Sequence, residues 1–175
     1  MKIIQENQSY FGATYHIYQD GIKLRAVSIV RVNQVYKGYE YIYLLDSYGQ
    51  VIKEVFDFVN DYCKKEAKNS REQAVSALKL LYSFLELTNK ALCDLGKKEV
   101  NNLSRFLLGD IIEGNSTIIS LSTKRSVSTH NQYLDTIRKF LKFLEIDNEY
   151  MFEQTVVNIS KGSLGLLSHT NTTTV

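Results

Sequence analysis

The residues best suited to chemistry in this chain are the basic pair Lys124 and Arg125, which directly precede a helix-start signal at Ser126. From Ser126 to Leu144 apolar residues recur at helical spacing, which predicts a helix that buries one face. The first turn of a helix carries free backbone N–H groups and the positive end of the helix dipole. Beside two cations, such a turn is suited to bind an anion, and the phosphate backbone of DNA is a natural candidate.

Other kinds of chemistry find little support in the sequence. Cys63 and Cys93 lack metal-site or disulfide spacing, and His130 has no second ligand at metal spacing. The Gly-rich stretch at 162–165 lacks the Lys-Ser/Thr ending of a phosphate loop. The carboxylates that remain are scattered over different elements: Asp46, Asp57, Asp61, Asp94 and Asp110. We therefore expect no catalytic residues, no metal and no cofactor.

Composition sets broader limits. The chain has 175 residues, of which 44% are hydrophobic and 23% charged, which is typical of a globular protein. Its net charge at pH 7 is only +2, so a nucleic-acid surface must come from local clustering of cations. No apolar run approaches the roughly 20 residues of a membrane span, and the N-terminus is too polar for a signal peptide. We expect a cytoplasmic protein with no membrane partner.

Three further helices are predicted to support the one that begins at Ser126. A capping box formed by Ser70 and Gln73 predicts the start of the second helix, and Gly96 and Gly109 delimit the third. The Ser-, Thr- and Gly-dense segment that follows Gly109 is predicted to be a loop. The inward-facing apolar residues are Val55, Val59 and Tyr62 in the first helix, Ala74, Leu78, Leu81 and Leu85 in the second, Val100, Leu103 and Leu107 in the third, and Leu134, Ile137, Leu141 and Leu144 in the fourth.

Residues 1–52 are rich in tyrosine and β-branched residues and are predicted to form short strands with a hairpin. The apolar run at 40–45, a turn at 46–49 and the pair Val51 and Ile52 indicate the hairpin. The expected fold class is therefore mainly α, a four-helix bundle preceded by a small β-hairpin region. The predicted organisation is an N-terminal extension at 1–52, a helical domain at 53–146, and a linker and tail at 147–175.

The helical region resembles the core-binding, SAM-like domain of tyrosine recombinases, the integrases of phages and transposons. The resemblance rests on two helices and on the hairpin at 41–52, which resembles the strand pair that leads into this domain in transposon-type recombinases. In the last helix the matching residues are Ser126, Thr129, Asn131, Leu134, Arg138, Phe140, Phe143 and Leu144; in the earlier helix they are Ser70, Leu78, Tyr82, Phe84 and Leu85.

The resemblance implies binding of double-stranded DNA in a mobile element's integration or recombination, with the second and fourth helices facing the major groove. Candidate DNA contacts are Ser70, Arg71, Gln73 and Lys79 on the second helix, and Lys124, Arg125, Thr129, His130, Asn131 and Arg138 before and along the fourth. Asp135 and Glu145 would repel DNA, so the surface is expected to be confined to the first turns. Self-association on DNA is compatible with the resemblance.

The family's chemistry belongs to a separate catalytic domain, which supplies a tyrosine nucleophile together with arginines, a lysine and histidines. This chain is expected to lack that domain and not to be an enzyme by itself. Two alternatives remain open from the sequence. One is a non-catalytic transcriptional regulator that uses the recombinase fold to bind DNA. The other is a helical protein-interaction module with no DNA role.

Overall fold

A computed structural model describes residues 2–8, 13–109, 112–114, 117–120 and 125–146, and in it five strands are followed by three helices, two short strands and a last helix. The strands are β1 (Lys2–Gln8), β2 (Ala13–Gln19), β3 (Ile22–Ser28), β4 (Val30–Tyr36), β5 (Tyr39–Leu45), β6 (Ile112–Gly114) and β7 (Thr117–Ser120). The helices are α1 (Lys53–Asp57), α2 (Lys68–Thr88), α3 (Lys97–Leu108) and α4 (Val127–Phe143), with a π-helical turn at Phe58–Tyr62 after α1 and a 3₁₀ turn at Leu92–Asp94 before α3.

A five-stranded sheet has the order β3-β2-β1-β7-β6, and it overturns the expectation of a mainly α fold. β1 pairs with β2 antiparallel and with β7 in parallel, so that Ile3 lies opposite Ile119. The segment after Gly109, predicted to be a loop, contains both β6 and β7. These strands are three and four residues long, too short for a local signal, and they depend on pairing with a strand from the other end of the chain.

The N-terminal hairpin also differs from the prediction. β5 pairs with the preceding strand β4 through a two-residue turn at Lys37 and Gly38, where φ is 50° and 76°. The predicted turn at 46–49 is present, but beyond it the pairing is a single bridge between Leu45 and Val51. The tight turn with two positive φ values fits the twist of paired strands. The longer hairpin is therefore formed by β4 and β5, one strand earlier in the chain than predicted.

The starts predicted for the second and fourth helices have different outcomes. At α4 the Ser126 side chain accepts a hydrogen bond from the Thr129 backbone N–H, which confirms the cap. At α2 the capping box at Ser70 is wrong, because the helix begins at Lys68 and the Arg71 N–H bonds to the Ala67 carbonyl. The earlier start places Ser70 in the first turn with its side chain exposed. For α3 the predicted bounds between Gly96 and Gly109 are confirmed.

One hydrophobic core runs from the sheet through the helices. It includes Ile3 and Tyr15 from the sheet and Phe84 and Phe106 from α2 and α3, with the Tyr15 and Phe106 ring centroids 5.8 Å apart. The core also crosses residue 52, where a domain boundary was predicted, because Ile42 and Leu44 of β5 are buried with it. The boundaries at 52 and 146 stay predictions, and the predicted tail at 147–175 lies outside the described residues.

Candidate nucleic-acid interface

Arg71, one of the candidate DNA contacts, is enclosed in the protein with 6% of its surface exposed. Its guanidinium donates to the Glu40 and Val59 carbonyls, at 2.7 and 3.3 Å, and to Asn60 Oδ1 at 3.1 Å. The guanidinium also lies over the Tyr39 ring, 4.7 Å from its centroid. So many contacts with its own chain give Arg71 a positioning role, in which it fixes the start of α2 against the hairpin.

Asn60 is the second member of this buried network. It lies in the π-helical turn, donates to the Ile42 carbonyl at 2.9 Å and accepts from the Ile42 backbone N–H at 3.0 Å. A π-helical turn carries one extra residue per turn, which here aims the Asn60 amide at the β5 backbone. The Asn60 side chain therefore pairs with the backbone N–H and C=O of Ile42 in β5. A further strand beside β5 would otherwise supply these hydrogen bonds from its backbone.

Lys79, the last candidate on α2, is half-buried in the middle of the helix. The pKa of its ammonium is lowered from 10.5 to about 8, mainly by burial and in addition by the positive charges of Arg31 and Arg125. Neighbouring cations are thus brought together from β4, α2 and the residue before α4. We call Arg31, Lys79 and Arg125 the cationic cluster.

Arg125 joins the cluster through the C-terminal end of α3. Its backbone N–H donates to the Leu108 carbonyl at 3.1 Å and its guanidinium to the Leu107 carbonyl at 3.0 Å. Cations are favoured there because carbonyls at a helix C-terminus carry partial negative charge. Arg125 also lies near the buried Tyr15 hydroxyl, whose pKa is raised to about 12 by burial, so this phenol supplies no negative charge at neutral pH.

Arg31 was missed by the sequence reasoning, because it lies in a strand-like segment between Val30 and Val32. It is buried, forms a 3.0 Å salt bridge with Glu72 of α2 and donates to Asn33 Oδ1 at 2.8 Å. A charged residue flanked by β-branched residues in a strand is the only signal that could have indicated it. Among the described residues, the Glu72 carboxylate forms the salt bridge with Arg31, and the Glu40 carboxylate, whose pKa is lowered by hydrogen bonds from Lys68 and Asn33, also interacts with the positive charge of Arg31.

The first turn of α4 presents a different arrangement. The Thr129 and Ser126 hydroxyls lie 2.9 Å apart and belong to the cap. His130 is fully buried, with Nε2 2.9 Å from Ser104 Oγ and Nδ1 3.1 Å from Asn131 Oδ1. A buried ring that contacts both α3 and its own neighbour joins the two helices, so His130 supports the turn from inside.

The remaining candidates are placed as follows. Ser70 and Gln73 are exposed on the first turns of α2, and Arg138 is half-buried on α4. Lys124 lies outside the described residues. The structure therefore brings Lys79 and Arg125 together, leaves Ser70 and Gln73 accessible on the same helix as Lys79, and turns Arg71 and His130 inward.

Within the described ranges, no three or more His, Cys, Asp and Glu side chains are grouped as ligands for a metal ion. Within the same ranges no helix combines the length and the apolar character that crossing a membrane requires.

Comparison of this chain with models of known protein families, with curated proteins and with solved structures found no match.

Proposed function

We propose that this chain binds duplex DNA, and that it does so as the non-catalytic part of a tyrosine recombinase of a mobile element. The observation that carries the proposal is the cationic cluster, which gathers Arg31, Lys79 and Arg125 from three separate elements. Like charges placed together are unfavourable for folding, so an arrangement of this kind is expected where it binds an anion. The resemblance of the second and fourth helices to the recombinase domain, argued from residues on those two helices, supports DNA as that anion.

Each cation has a separate role in the proposed interface. Lys79 and Arg125 are half-buried and keep surface that a phosphate can approach, so they contact the DNA backbone. Arg31 is buried against Glu72 and contributes its field rather than a contact. Ser70 and Gln73, exposed on the first turns of α2, are placed to meet base edges or phosphates in the major groove.

The test is fluorescence anisotropy with a labelled duplex of about 30 base pairs, which spans about three helical turns. We expect affinity to fall as salt rises, with a slope of log K against log salt of about −0.9 for each phosphate neutralised. The charge reversal Arg125→Glu should weaken binding at least tenfold at low salt, an effect of about 1.4 kcal/mol. It should also lower the salt slope, because fewer counterions are then released.

Lys98→Glu is the matched control. Lys98 is exposed in the first turn of α3, nine residues before Leu107 and hence about 14 Å along the helix from the carbonyl that holds Arg125. Both substitutions change the net charge by the same amount. A difference in DNA affinity between the two variants must therefore come from the position of the charge. If both lose affinity equally, binding is a property of overall charge. Flat anisotropy of the wild-type chain at low salt would refute DNA binding and leave the interaction-module alternative.

A further inference from the structure

Lys79 lies in the middle of α2 on a face that carries other polar side chains. Glu72 precedes it by seven residues and Ser83 follows it by four, so the three side chains share one face of the helix. The Glu72 carboxylate is held by Arg31 at 3.0 Å. The buried Ser83 hydroxyl donates to the Lys79 carbonyl at 2.8 Å. Lys79 itself is half-buried, so the protein shields part of its side chain and leaves part of it to solvent.

The next neighbours of this face come from β2 and from the residue before α4. Ser83 hydrogen-bonds the Tyr15 hydroxyl, whose pKa is raised to about 12, mainly by burial, so the phenol stays neutral at neutral pH. Arg125 lies near both Tyr15 and Lys79. It is half-buried, and its guanidinium donates to the Leu107 carbonyl at 3.0 Å. An amine and a guanidinium are therefore held near each other at the edge of the protein interior.

The surroundings of Lys79 favour the form of its side chain that can react. Only a neutral amine is a nucleophile, and both burial and neighbouring cations favour the neutral form. With the pKa lowered to about 8, roughly a fifth of the Lys79 side chains are neutral near about pH 7.4, against about one in a thousand for an ordinary lysine. Lys53, by contrast, is paired with Asp57, and Lys139 with Glu66. These pairs raise the pKa of both ammonium groups and keep them charged.

Arg125 determines which electrophile fits beside this amine. A guanidinium presents parallel N–H donors that match the oxygens of a phosphate, whereas an ammonium acts as a point charge. A molecule that carries a phosphate directly on an electrophilic carbon would therefore place that carbon next to an amine beside the guanidinium. Acyl phosphates have this structure, because the phosphate is bonded to the carbonyl carbon and is also the leaving group.

We propose that Lys79 is a modification site for acyl phosphates, with Arg125 binding the phosphate and the Lys79 amine accepting the acyl group. The amine attacks the carbonyl carbon, an N–C bond forms, and the bond between that carbon and the phosphate oxygen breaks. Inorganic phosphate leaves with the bonding electrons, and the nitrogen releases its proton to solvent. The product is a neutral amide, so acylation removes one cation from the cationic cluster. Its effect on DNA affinity rests on the proposed function, whereas the modification itself does not.

Peptide mass mapping after incubation of the full chain with acetyl phosphate tests the proposal. Near about pH 7.4 we expect the initial rate of acetylation at Lys79 to be at least about tenfold higher than at Lys65 and Lys98, which are exposed. This gain is smaller than the difference in neutral fraction, because a less basic amine is a weaker nucleophile and Lys79 is less accessible than the two reference lysines. The advantage of Lys79 should shrink near about pH 9.5, where more of an ordinary lysine is neutral.

A neutral acetyl donor and two variants test the role of Arg125. The N-hydroxysuccinimide ester of acetic acid carries no phosphate, so its rate should depend on the reactivity and access of the amine alone. The preference for Lys79 over Lys65 should be larger with acetyl phosphate than with this ester, and Arg125→Gln should remove that difference. Lys98→Gln changes the net charge by the same amount and should leave the difference intact. Circular dichroism checks the fold of each variant, and the comparison of the two donors on the wild-type chain needs no variant.

The outcomes separate this inference from the proposed function. If Lys79 reacts no faster than Lys65 near about pH 7.4, the modification site is overturned, and a salt-dependent affinity for duplex DNA still stands. If the preference for Lys79 is equal with both donors, the assignment to acyl phosphates is overturned. If Lys79 is acetylated as expected and the wild-type chain binds duplex, the acetylated chain and Lys79→Gln should both bind about tenfold more weakly at low salt. If Lys79 is acetylated but the wild-type chain binds no duplex, the proposed function falls and the modification site stands.

Discussion

Two arginines in this protein, Arg71 and Arg125, both donate hydrogen bonds to backbone carbonyls but lie in different surroundings. Arg71 is enclosed and bonded to Asn60 and to two carbonyls, so the network around it is complete within the chain. Arg125 also donates to a carbonyl but lies near Lys79 and remains half-buried. The comparison shows that a positive charge stabilises a fold when its own chain surrounds it with acceptors.

The largest expected effect concerns the enclosed group. Arg71→Ala removes a cation that joins β5, the π-helical turn and α2, and it leaves the Asn60 and Glu40 acceptors without their partner. We expect the free energy of unfolding to fall by about 3 kcal/mol. Urea denaturation followed by circular dichroism measures the change. Lys65→Ala, at an exposed turn, is the control and should leave the midpoint unchanged. A loss below about 1 kcal/mol for R71A would show that the network is not a main support of the fold.

The next effect concerns the pH dependence of DNA affinity. The pKa of Lys79 is about 8, and a bound phosphate would raise it, so binding takes up a proton where the free lysine is neutral. Affinity should therefore fall as pH rises, by up to about tenfold between pH 7 and 9.

Lys79→Arg gives the matched control for that measurement, since arginine stays charged throughout this range. Anisotropy titrations at constant ionic strength should show a flat profile for the variant from pH 7 to 9. A wild-type profile that is equally flat would mean that Lys79 does not contact the phosphate.

A smaller effect in the opposite direction is expected on stability. The pKa of Lys79 is lower in the folded chain than in the unfolded chain, so below pH 8 the charged form of Lys79 destabilises the folded state. This cost disappears as pH rises from the folded value of about 8 towards 10.5, its ordinary value. Lys79→Met should raise the free energy of unfolding at pH 7 by about 1 kcal/mol, after allowance for the partial exposure of the side chain.

The difference between K79M and the wild type should shrink when denaturation is repeated at pH 9.5. Other titratable groups contribute equally to the free energy of unfolding of both chains, so their contributions cancel in the difference. The prediction that the charge of Lys79 destabilises the fold would be wrong if K79M were less stable than the wild type at pH 7. It would also be wrong if the difference in free energy of unfolding between the two chains grew with pH.

The smallest effect concerns Tyr82, three residues after Lys79 on α2. Its ring packs against Phe140 of α4, and its buried hydroxyl has no hydrogen-bond partner among the described residues. Burial raises the pKa of this phenol, so it stays neutral. Tyr82→Phe removes an unsatisfied polar atom and should stabilise the fold by about 0.5–1 kcal/mol. Tyr48→Phe, at an exposed position, should show no gain; a loss for Y82F would indicate that the hydroxyl does have a partner.

The sequence alone determined the elements whose signals are local. The bounds of α3 follow from Gly96 and Gly109, and the start of α4 follows from Ser126, because capping and chain reversal depend on a few neighbouring residues. Lys79 and Arg125 were also candidates from the sequence. The pattern could not show that they meet Arg31, since the three come from positions far apart in the chain.

The tertiary structure decided the rest. Strand β7 forms because β1 offers it a hydrogen-bonding edge, and β6 pairs with β7 in turn. A local pattern of three or four residues does not indicate such a distant partner. Similarly, Arg71 and His130 are polar residues on helices whose exposure depends on what packs over them, and here the hairpin and α3 cover them. Local sequence thus set the bounds of α3 and the start of α4, whereas long-range pairing set the fold class, and tertiary packing determined which polar residues are buried.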